Sequence, residues 1–113
     1  MKLTTNILFL GVLAVVRTQA VSANSSKAID IYEEYCVSCH APGNIMVASP
    51  KLHKRTQWEQ RLQKGYSSVL ENALNGFNAM PPMGGCDTCS ANDIEATLRY
   101  MAAPALESSG YNN

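Results

Sequence analysis

The chain has 113 residues, of which 46% are hydrophobic and 16% are charged, and nine basic side chains balance nine acidic ones. This length allows one small domain at most. A nucleic-acid-binding domain needs a clustered basic excess, so the balanced charge argues against that class.

The first 23 residues have the features of a secretory signal peptide. Lys2 precedes an apolar run over residues 7–16, which is too short to cross a hydrocarbon core about 30 Å thick. Val21-Ser22-Ala23 supplies the small residues that signal peptidase prefers, and Thr18-Gln19-Ala20 is a second possible cleavage site. We therefore expect an exported protein whose mature part is residues 24–113. A permanent N-terminal anchor is the less favoured alternative.

The mature chain is predicted to contain four helices and no strand. The first helix carries an apolar stripe that leads into Cys36, and the stripe consists of Ala28, Ile31, Tyr32 and Tyr35. Two long loops are expected, over residues 41–55 and 77–90. Loops of this length in a small helical domain usually carry function.

Two short helices are predicted in the middle of the chain. The first is expected over 57–64, with Thr56 as its N-cap and Gly65 directly after it. The second is expected to begin at Ser68 and to end at Gly76. In both cases a glutamate follows the cap residue at the spacing of a capping box.

The last helix is expected to begin at Ser90 and to end at Pro104, since proline interrupts a helix interior. Its apolar face consists of Ile94, Leu98 and Met101. The polar tail over 108–113 is expected to be frayed.

Cys36, Cys39 and His40 form the pattern Cys-x-x-Cys-His, the attachment signature of c-type haem. Two thiols three positions apart can each add to one haem vinyl group, and the next residue can supply an imidazole ligand to the iron. The rival interpretations are a redox-active dithiol and a zinc site shared with Cys86 and Cys89. Zinc is disfavoured because far more residues separate the two pairs than the usual spacing of about 15–20.

A haem that transfers electrons needs a second axial ligand. Met80 is favoured because it precedes two rigid prolines within a long loop, and Met83 in the same loop is the runner-up. His53 would give bis-histidine ligation, although a solvated loop histidine is the favoured interpretation of this residue. Met101 is not favoured as a ligand because core packing explains it. Met46 is not favoured because it lies too close to His40 in the sequence.

Six segments then carry a family resemblance, in chain order Cys36-x-x-Cys39-His40, Ser49-Pro50-Lys51-Leu52, Trp58-x-x-Arg61-x-x-x-Gly65, Asn78-Ala79-Met80-Pro81-Pro82, Cys86-x-x-Cys89-Ser90 and Tyr100-Met101. With these segments the mature chain resembles the class I c-type cytochromes, and among them the bacterial cytochrome c5 family. The resemblance implies a small all-α class I cytochrome c fold, with about four helices and long loops wrapped around one covalently bound haem c.

The resemblance also implies the roles of individual residues. Cys36 and Cys39 would form the haem thioethers, and His40 and Met80 would be the axial ligands. The carbonyl of Pro50 would accept a hydrogen bond from the ring of His40.

Further site residues follow from the same resemblance. Leu52, Trp58 and Arg61 are expected near the haem, with Arg61 beside a propionate; a solvated Arg61 that covers Trp58 is an equal alternative. Cys86 and Cys89 would form a small disulfide, and because Ser90 rather than histidine follows them, a second haem is not expected.

The sequence departs from the family at several positions. His53 stands where a glycine is frequent, and Met83 stands where a lysine is frequent. The Met83 change removes a positive charge near the expected exposed haem edge. The cluster of Lys51, Lys54 and Arg55 is interpreted as a solvated loop rather than as a docking patch.

The predicted function is that of a periplasmic monohaem electron carrier that cycles between Fe(III) and Fe(II) and is not an enzyme. It is expected to be a monomer or weak dimer with transient redox partners, without nucleic acid and without a membrane span after signal cleavage. One alternative is a haem subunit dedicated to one oxidoreductase complex. The other is an open-site haem sensor or enzyme, in which Met80 does not bind iron.

Overall fold

The computed structural model describes residues 22–111. The signal peptide predicted over 1–23 therefore lies outside the described residues, apart from Ser22 and Ala23. The last two residues of the predicted tail also lie outside them.

Helices make up nearly all the regular structure between residues 22 and 111. A first helical segment consists of α1 (Ser22–Ile31), a π-helical turn (Tyr32–Cys36) and α2 (Val37–His40). The helices α3 (Arg55–Leu62) and α4 (Tyr66–Asn75) follow, then a 3₁₀ turn (Pro82–Gly85) and the long α5 (Ala91–Ser109). Within the described residues no strand forms, and an isolated bridge joins Phe77 to Met80. The prediction of an all-α fold with about four helices is confirmed.

The π-helical turn leads directly into the Cys-x-x-Cys-His sequence. It places Tyr32 and Cys36 in the interior while Glu33 and Glu34 remain exposed. The wider turn changes the phase of the helix, so that the residues after it face a different direction from those of an uninterrupted α-helix. Such turns are frequent at functional sites.

The capping box predicted at Thr56 is wrong. Helix α3 begins two residues earlier than predicted, at Arg55, with Lys54 at the N-cap and no side-chain cap. The Glu59 carboxylate, the expected partner of Thr56, instead accepts hydrogen bonds from Arg55 Nε at 2.7 Å and from Ser108 Oγ at 3.0 Å. Glu59 therefore ties α3 to the end of α5.

The capping box predicted at Ser68 is also wrong. Helix α4 begins at Tyr66, directly after Gly65, so Ser68 lies inside the helix. Gly65 has a φ of +94°, which glycine adopts without strain and which turns the chain between α3 and α4. The predicted end of α4 at Gly76 is confirmed.

The start of α5 is as predicted. Asp93 N donates to Ser90 Oγ at 3.2 Å, and Ser90 N donates to Asp93 Oδ2 at 2.9 Å, which completes a capping box. Lys27 of α1 adds an ion pair to Asp93 at 2.7 Å. The capping box therefore also joins the first helix to the last.

The predicted end of α5 at Pro104 is wrong, since the helix continues to Ser109. A proline inside a helix leaves a carbonyl one turn earlier without its N–H donor. Here the ring of His53 hydrogen-bonds the carbonyl of Tyr100 through Nε2 at 2.9 Å, and His53 N donates to the carbonyl of Met101 at 2.9 Å. These two bonds satisfy carbonyl groups of the interrupted turn, so the helix continues beyond Pro104.

The fraying expected for the tail does not occur over 108–111. Ser109 lies in α5, and Gly110 closes the helix in the left-handed conformation. Tyr111 packs its ring 6.0 Å from that of Tyr66. The tail therefore packs back onto α4.

Two groups of buried side chains form the core between the first helical segment, α3, α4 and α5. The first cluster consists of Tyr32, Cys36, Trp58, Leu62, Val69, Leu98, Met101, Ala102, Ala105 and Leu106. The second cluster consists of Ile31, Ala73, Cys86 and Ile94. No helix in the described range is both long and apolar enough to cross a membrane.

Candidate functional site

A cavity of about 360 Å³ opens between the first helical segment, α3, α4, α5 and the loops that connect them. Its volume lies in the range of about 300–1,000 Å³ that is typical of ligand sites. Seven of the predicted haem-site residues line this cavity, namely Cys36, Cys39, His40, Pro50, Trp58, Arg61 and Met80. The cavity thus brings together side chains that are up to 44 positions apart, from Cys36 to Met80 (80 − 36 = 44).

Sequence reasoning missed part of the lining. Val69 and Ala73 contribute one face of α4, and Leu98 and Met101 contribute one face of α5. Leu98 and Met101 were predicted only as part of the apolar face of the last helix, and Val69 and Ala73 have the same kind of helical spacing. The apolar periodicity located these faces but did not show that they also border a cavity.

The two cysteines of Cys-x-x-Cys-His are free thiols, and Cys36 is buried while Cys39 is exposed. Burial, with a smaller contribution from Cys39, raises the pKa of the Cys36 thiol to about 11. The thiol of Cys36 is therefore protonated at neutral pH, which does not suit a thiolate nucleophile.

The other two cysteines are joined in a disulfide, with the Cα atoms of Cys86 and Cys89 5.5 Å apart. The four cysteines therefore do not converge on one point. Within residues 22–111, no group of three or more His, Cys, Asp or Glu side chains is placed to hold a metal ion. This donor arrangement argues against the zinc interpretation.

His40 is buried, with 7% of its surface exposed. Its Nδ1 lies 2.7 Å from the carbonyl oxygen of Pro50, and because a carbonyl only accepts, Nδ1 carries the proton that it donates. Nε2 of the neutral ring then keeps its lone pair, as a metal ligand requires. Burial lowers the pKa of His40, and the positive charge of Lys51 lowers it further, while the Pro50 bond opposes both.

Trp58 supports this arrangement from α3. Its side chain is 2% exposed, and its Nε1–H donates to the carbonyl of Lys51 at 2.9 Å. The indole is stacked on the ring of His40, with centroids 6.3 Å apart and an interplanar angle of 15°. Trp58 thus connects the ring of His40 to the loop segment that follows Pro50.

Met80 lines the cavity from the end of a tight turn between α4 and the 3₁₀ turn. Phe77 and Met80 exchange two backbone hydrogen bonds of 3.0 Å and 2.9 Å, and Asn78 between them has a φ of +52°. A Cβ on Gly76 would lie 3.0 Å from the carbonyl oxygen of Met80 and 2.9 Å from Pro82 N. Gly76 therefore permits the close approach that places Met80 at the cavity.

Two rival iron ligands lie elsewhere. Met83 packs against the second cluster, and His53 hydrogen-bonds Tyr100; within the described chain neither residue lines the cavity. His53 has a φ of +57°, a conformation that favours glycine, which fits the frequent glycine of the family at this position. Met101 does border the cavity, but it is 4% exposed within the first cluster.

Arg61 and Leu52 occupy different environments. Arg61 lines the cavity and donates from Nη1 to Gln60 Oε1 at 2.9 Å. Leu52 packs against the first cluster and is absent from the lining of the cavity in the described part of the chain. Its contribution is a backbone bond, because Leu52 N donates to the carbonyl of His40 at 2.8 Å.

The residues around the cavity fit a c-type haem. They offer two free thiols three positions apart, an imidazole of defined tautomer, a thioether from a separate loop, and apolar faces from two helices. Cysteine thiols, histidine and methionine are the groups that hold and ligate haem in cytochromes c.

Comparison with known proteins agrees with this chemistry. Residues 23–101 match the family described as cytochrome C oxidase, cbb3-type, subunit III. Cytochrome c5 of Ectopseudomonas mendocina is 31% identical over 85 residues, which cover 74% of this chain and 95% of that protein. Cytochrome c5 of Azotobacter vinelandii is 33% identical over 75 residues, which cover 65% of this chain and 88% of that protein.

A solved structure is also similar. One chain of a crystal structure described as an electron transfer complex of nitrite reductase with cytochrome c superposes with a TM-score of 0.59 at 33% identity, covering 70% of this chain and 94% of that chain. The chain therefore belongs to the class I c-type cytochromes and resembles cytochrome c5, and as a member of that family it is an electron carrier with covalently attached haem c rather than an enzyme.

Proposed function

We propose that this protein is a periplasmic monohaem carrier of single electrons, with its iron held between His40 and Met80. The observation that carries the proposal is the common cavity, which is lined by Cys36, Cys39, His40 and Met80. When bound, haem c supplies an Fe(III)/Fe(II) couple whose potential depends on its axial ligands.

The residues of the chain act by holding and orienting. Cys36 and Cys39 would hold the group through two thioethers at the end of the first helical segment. His40 offers Nε2, because its Nδ1–H is engaged by Pro50. Met80 offers its thioether sulfur from the turn that Gly76 permits. Because His40 and Met80 would both hold the iron, no substrate would need to reach the metal.

Three further residues have supporting roles in the proposal. Arg61, at the lining of the cavity, pairs with a haem propionate. Trp58 fixes the orientation of the His40 ring by stacking and by its bond to the Lys51 carbonyl. Leu52 acts through its backbone N–H rather than through contact with the haem.

The proposed location is the periplasm. The support is the signal pattern of residues 1–23 together with a disulfide between Cys86 and Cys89, since disulfides persist in oxidising compartments. N-terminal sequencing of the protein from a periplasmic extract tests this, with Asn24 expected as the first residue. Recovery of the uncut chain in membranes would contradict it.

The proposed partners are redox proteins that dock transiently at the mouth of the cavity. Val47 and Phe77 line the cavity, and Phe77 is 56% exposed. Next to Val47, the side chains of Ile45 and Met46 are 90% and 88% exposed. A small apolar rim suits the interfaces below about 1,200 Å² that short-lived redox encounters use. The similar cytochrome of the solved structure was captured in such an electron transfer complex.

A paired comparison of methionine variants tests the ligation. The protein is expressed with haem-maturation machinery, and its oxidised and reduced absorption spectra are recorded. Wild type should show a sharp band on reduction and, when oxidised, the weak near-red band of an iron–thioether bond. Met80→Ala should abolish the near-red band, and the matched variant Met83→Ala should keep it. Loss of the near-red band in Met83→Ala alone, or its absence in wild type, would overturn the proposed ligation.

A second candidate is a haem subunit dedicated to one oxidoreductase complex. The observation that favours it is the description of the matching family, which names an oxidase subunit. Purification of the protein under native conditions distinguishes the two functions. A freely exchanging monomer or weak dimer supports the carrier, whereas constant association with one enzyme supports the subunit.

A further inference from the structure

Lys51 is buried, with 7% of its surface exposed, although the sequence places it beside two exposed basic residues, Lys54 and Arg55. Its ammonium group donates to the carbonyl of Val47 at 2.7 Å, to the carbonyl of Cys39 at 2.9 Å and to Ser49 Oγ at 2.9 Å. An ammonium has three N–H donors, so its hydrogen-bonding capacity is used completely.

All three acceptors of Lys51 are neutral. The ion pairs within residues 22–111 are Lys27–Asp93, Arg55–Glu59 and Arg99–Glu95, so in the described part of the chain no carboxylate compensates this charge. Carbonyl and hydroxyl dipoles solvate the ammonium, and one of them, Cys39, lies at the carboxyl end of the first helical segment, where a positive charge is favoured. The field of the ammonium therefore extends into the surrounding protein with little screening by water.

The ammonium lies next to the proposed iron-binding histidine. It is bonded to Cys39, the residue directly before His40. The backbone of Lys51 itself follows Pro50, which accepts from His40, and its carbonyl accepts from Trp58, which stacks on His40.

The geometry points to Lys51 as an electrostatic determinant of the reduction potential. Its buried ammonium disfavours the additional positive charge of Fe(III) relative to Fe(II) and so raises the potential of the Fe(III)/Fe(II) couple. In the reaction concerned, Fe(III) gains one electron from the redox partner and becomes Fe(II), with no proton or ligand exchanged. This inference rests on the proposed ligation of iron by His40.

Neutral variants with a matched control test the inference on the holoprotein. Lys51→Gln and Lys51→Met both remove the charge. Lys51→Gln keeps a hydrogen-bond donor at this position, and Lys51→Met does not. The readout is the equilibrium constant for electron exchange with a fixed one-electron reference couple, measured by spectroscopic titration. Both variants should shift this constant about tenfold toward Fe(III), which is about 59 mV for one electron.

Two further variants separate charge from structure. Lys51→Arg keeps the charge and should stay within about threefold of wild type, since guanidinium remains protonated. Lys54→Gln removes an equal charge that is exposed to solvent, and should change the constant less than about twofold because water and salt screen it. A merely structural Lys51 would give lower melting temperatures in the neutral variants with an unchanged exchange constant, and this result would overturn the inference.

The result is distinguishable from failure of the proposed function. If wild type lacks the near-red band, the ligation proposal fails; if wild type has it and Lys51→Gln keeps the wild-type constant, only the role of Lys51 fails. Should the neutral variants not fold, Ser49→Asp places a carboxylate at the position of the Lys51 acceptor Ser49 Oγ. It should shift the exchange constant toward Fe(III), and an unchanged constant would overturn the inference.

Discussion

The two sides of the cavity are built in different ways. On the His40 side, side chains make the decisive bonds, from the imidazole to Pro50, from Trp58 to the Lys51 carbonyl and from the Lys51 ammonium to three acceptors. On the Met80 side, the backbone positions the site, through a tight turn and through positive φ angles at five residues, Gly76, Asn78, Met83, Gly84 and Gly85.

The difference suits the chemistry proposed for each side. An imidazole has two nitrogens, so its tautomer must be set by a hydrogen-bond partner. A thioether has no proton to place and forms only weak hydrogen bonds, so the backbone and apolar packing position it rather than polar bonds. We therefore expect substitutions on the His40 side to act through packing and polar bonds, and substitutions on the Met80 side to act through chain geometry.

The largest expected effect is on the His40 side. Trp58→Ala removes a buried indole and its bond to Lys51, and should lower the free energy of unfolding of the holoprotein by about 3–5 kcal/mol in denaturant titrations. Ile45→Ala, which shortens an almost fully exposed side chain, should change it by less than about 0.5 kcal/mol. Equal effects of the two variants would contradict the packing role of Trp58.

On the Met80 side, Gly76→Ala should lower the free energy of unfolding by about 2 kcal/mol and weaken the near-red band. The added Cβ meets the carbonyl of Met80 and the nitrogen of Pro82, and the φ of +85° strains any residue with a side chain. Gly43→Ala is the control, since its Cβ would meet nothing within 4 Å. A Gly76→Ala protein with wild-type stability and an intact band would show that the turn does not position Met80.

Removing the disulfide should lower the free energy of unfolding by no more than Gly76→Ala does. Changing both Cys86 and Cys89 to serine should lower the free energy of unfolding by about 2 kcal/mol at most, because the closed loop is very short. Thr88→Ala changes the same loop and keeps the bond, so it should stay within about 0.5 kcal/mol. Thermal and denaturant unfolding of the two variants measure this. A loss above about 4 kcal/mol would mean that the bond holds the whole Met80 side.

The smallest expected effect concerns pH, at the capping box where the Met80 side joins α5. The ion pair with Lys27 and the bonds to Ser90 hold the pKa of Asp93 at about 2, below its usual value of about 3.9. The folded state therefore binds this proton less readily, so the contribution of Asp93 to stability is present above about pH 4 and is lost as the pH falls toward about 2.

Variants show whether Asp93 causes this loss. Unfolding free energies measured between about pH 2 and pH 5 should depend less steeply on pH in Asp93→Asn than in wild type. Lys27→Met should reduce the steepness partly, since the bonds to Ser90 remain. An unchanged slope in Asp93→Asn would assign the acid sensitivity to other carboxyl groups.

Sequence patterns located the elements whose signals are local. The capping box at Ser90 and the stop at Gly76 depend on a few adjacent residues, and both were predicted correctly. The boxes at Thr56 and Ser68 carry the same pattern but fail, because the partner glutamate of Thr56 bonds Arg55 and Ser108, and Gly65 already turns the chain before Tyr66.

Features that depend on distant residues were not predictable. Pro104 does not end α5, because His53, far away in the sequence, occupies the carbonyls of Tyr100 and Met101. Lys51 resembles the exposed basic residues that follow it, and only the folded chain brings its three acceptors together, from Cys39, Val47 and Ser49. The prediction of a solvated loop is therefore wrong for Lys51.

The assignment of His40 and Met80 to the two sides of the iron is tested most directly by proton NMR of the reduced holoprotein with ¹³C-labelled methionine methyl groups. A methyl group bonded to the iron through its sulfur lies over the haem ring, which shifts its signal far upfield. We expect one strongly shifted methionine methyl, and its disappearance in Met80→Leu but not in Met83→Leu. A shifted signal that survives in Met80→Leu, or a spectrum without one, would contradict this assignment.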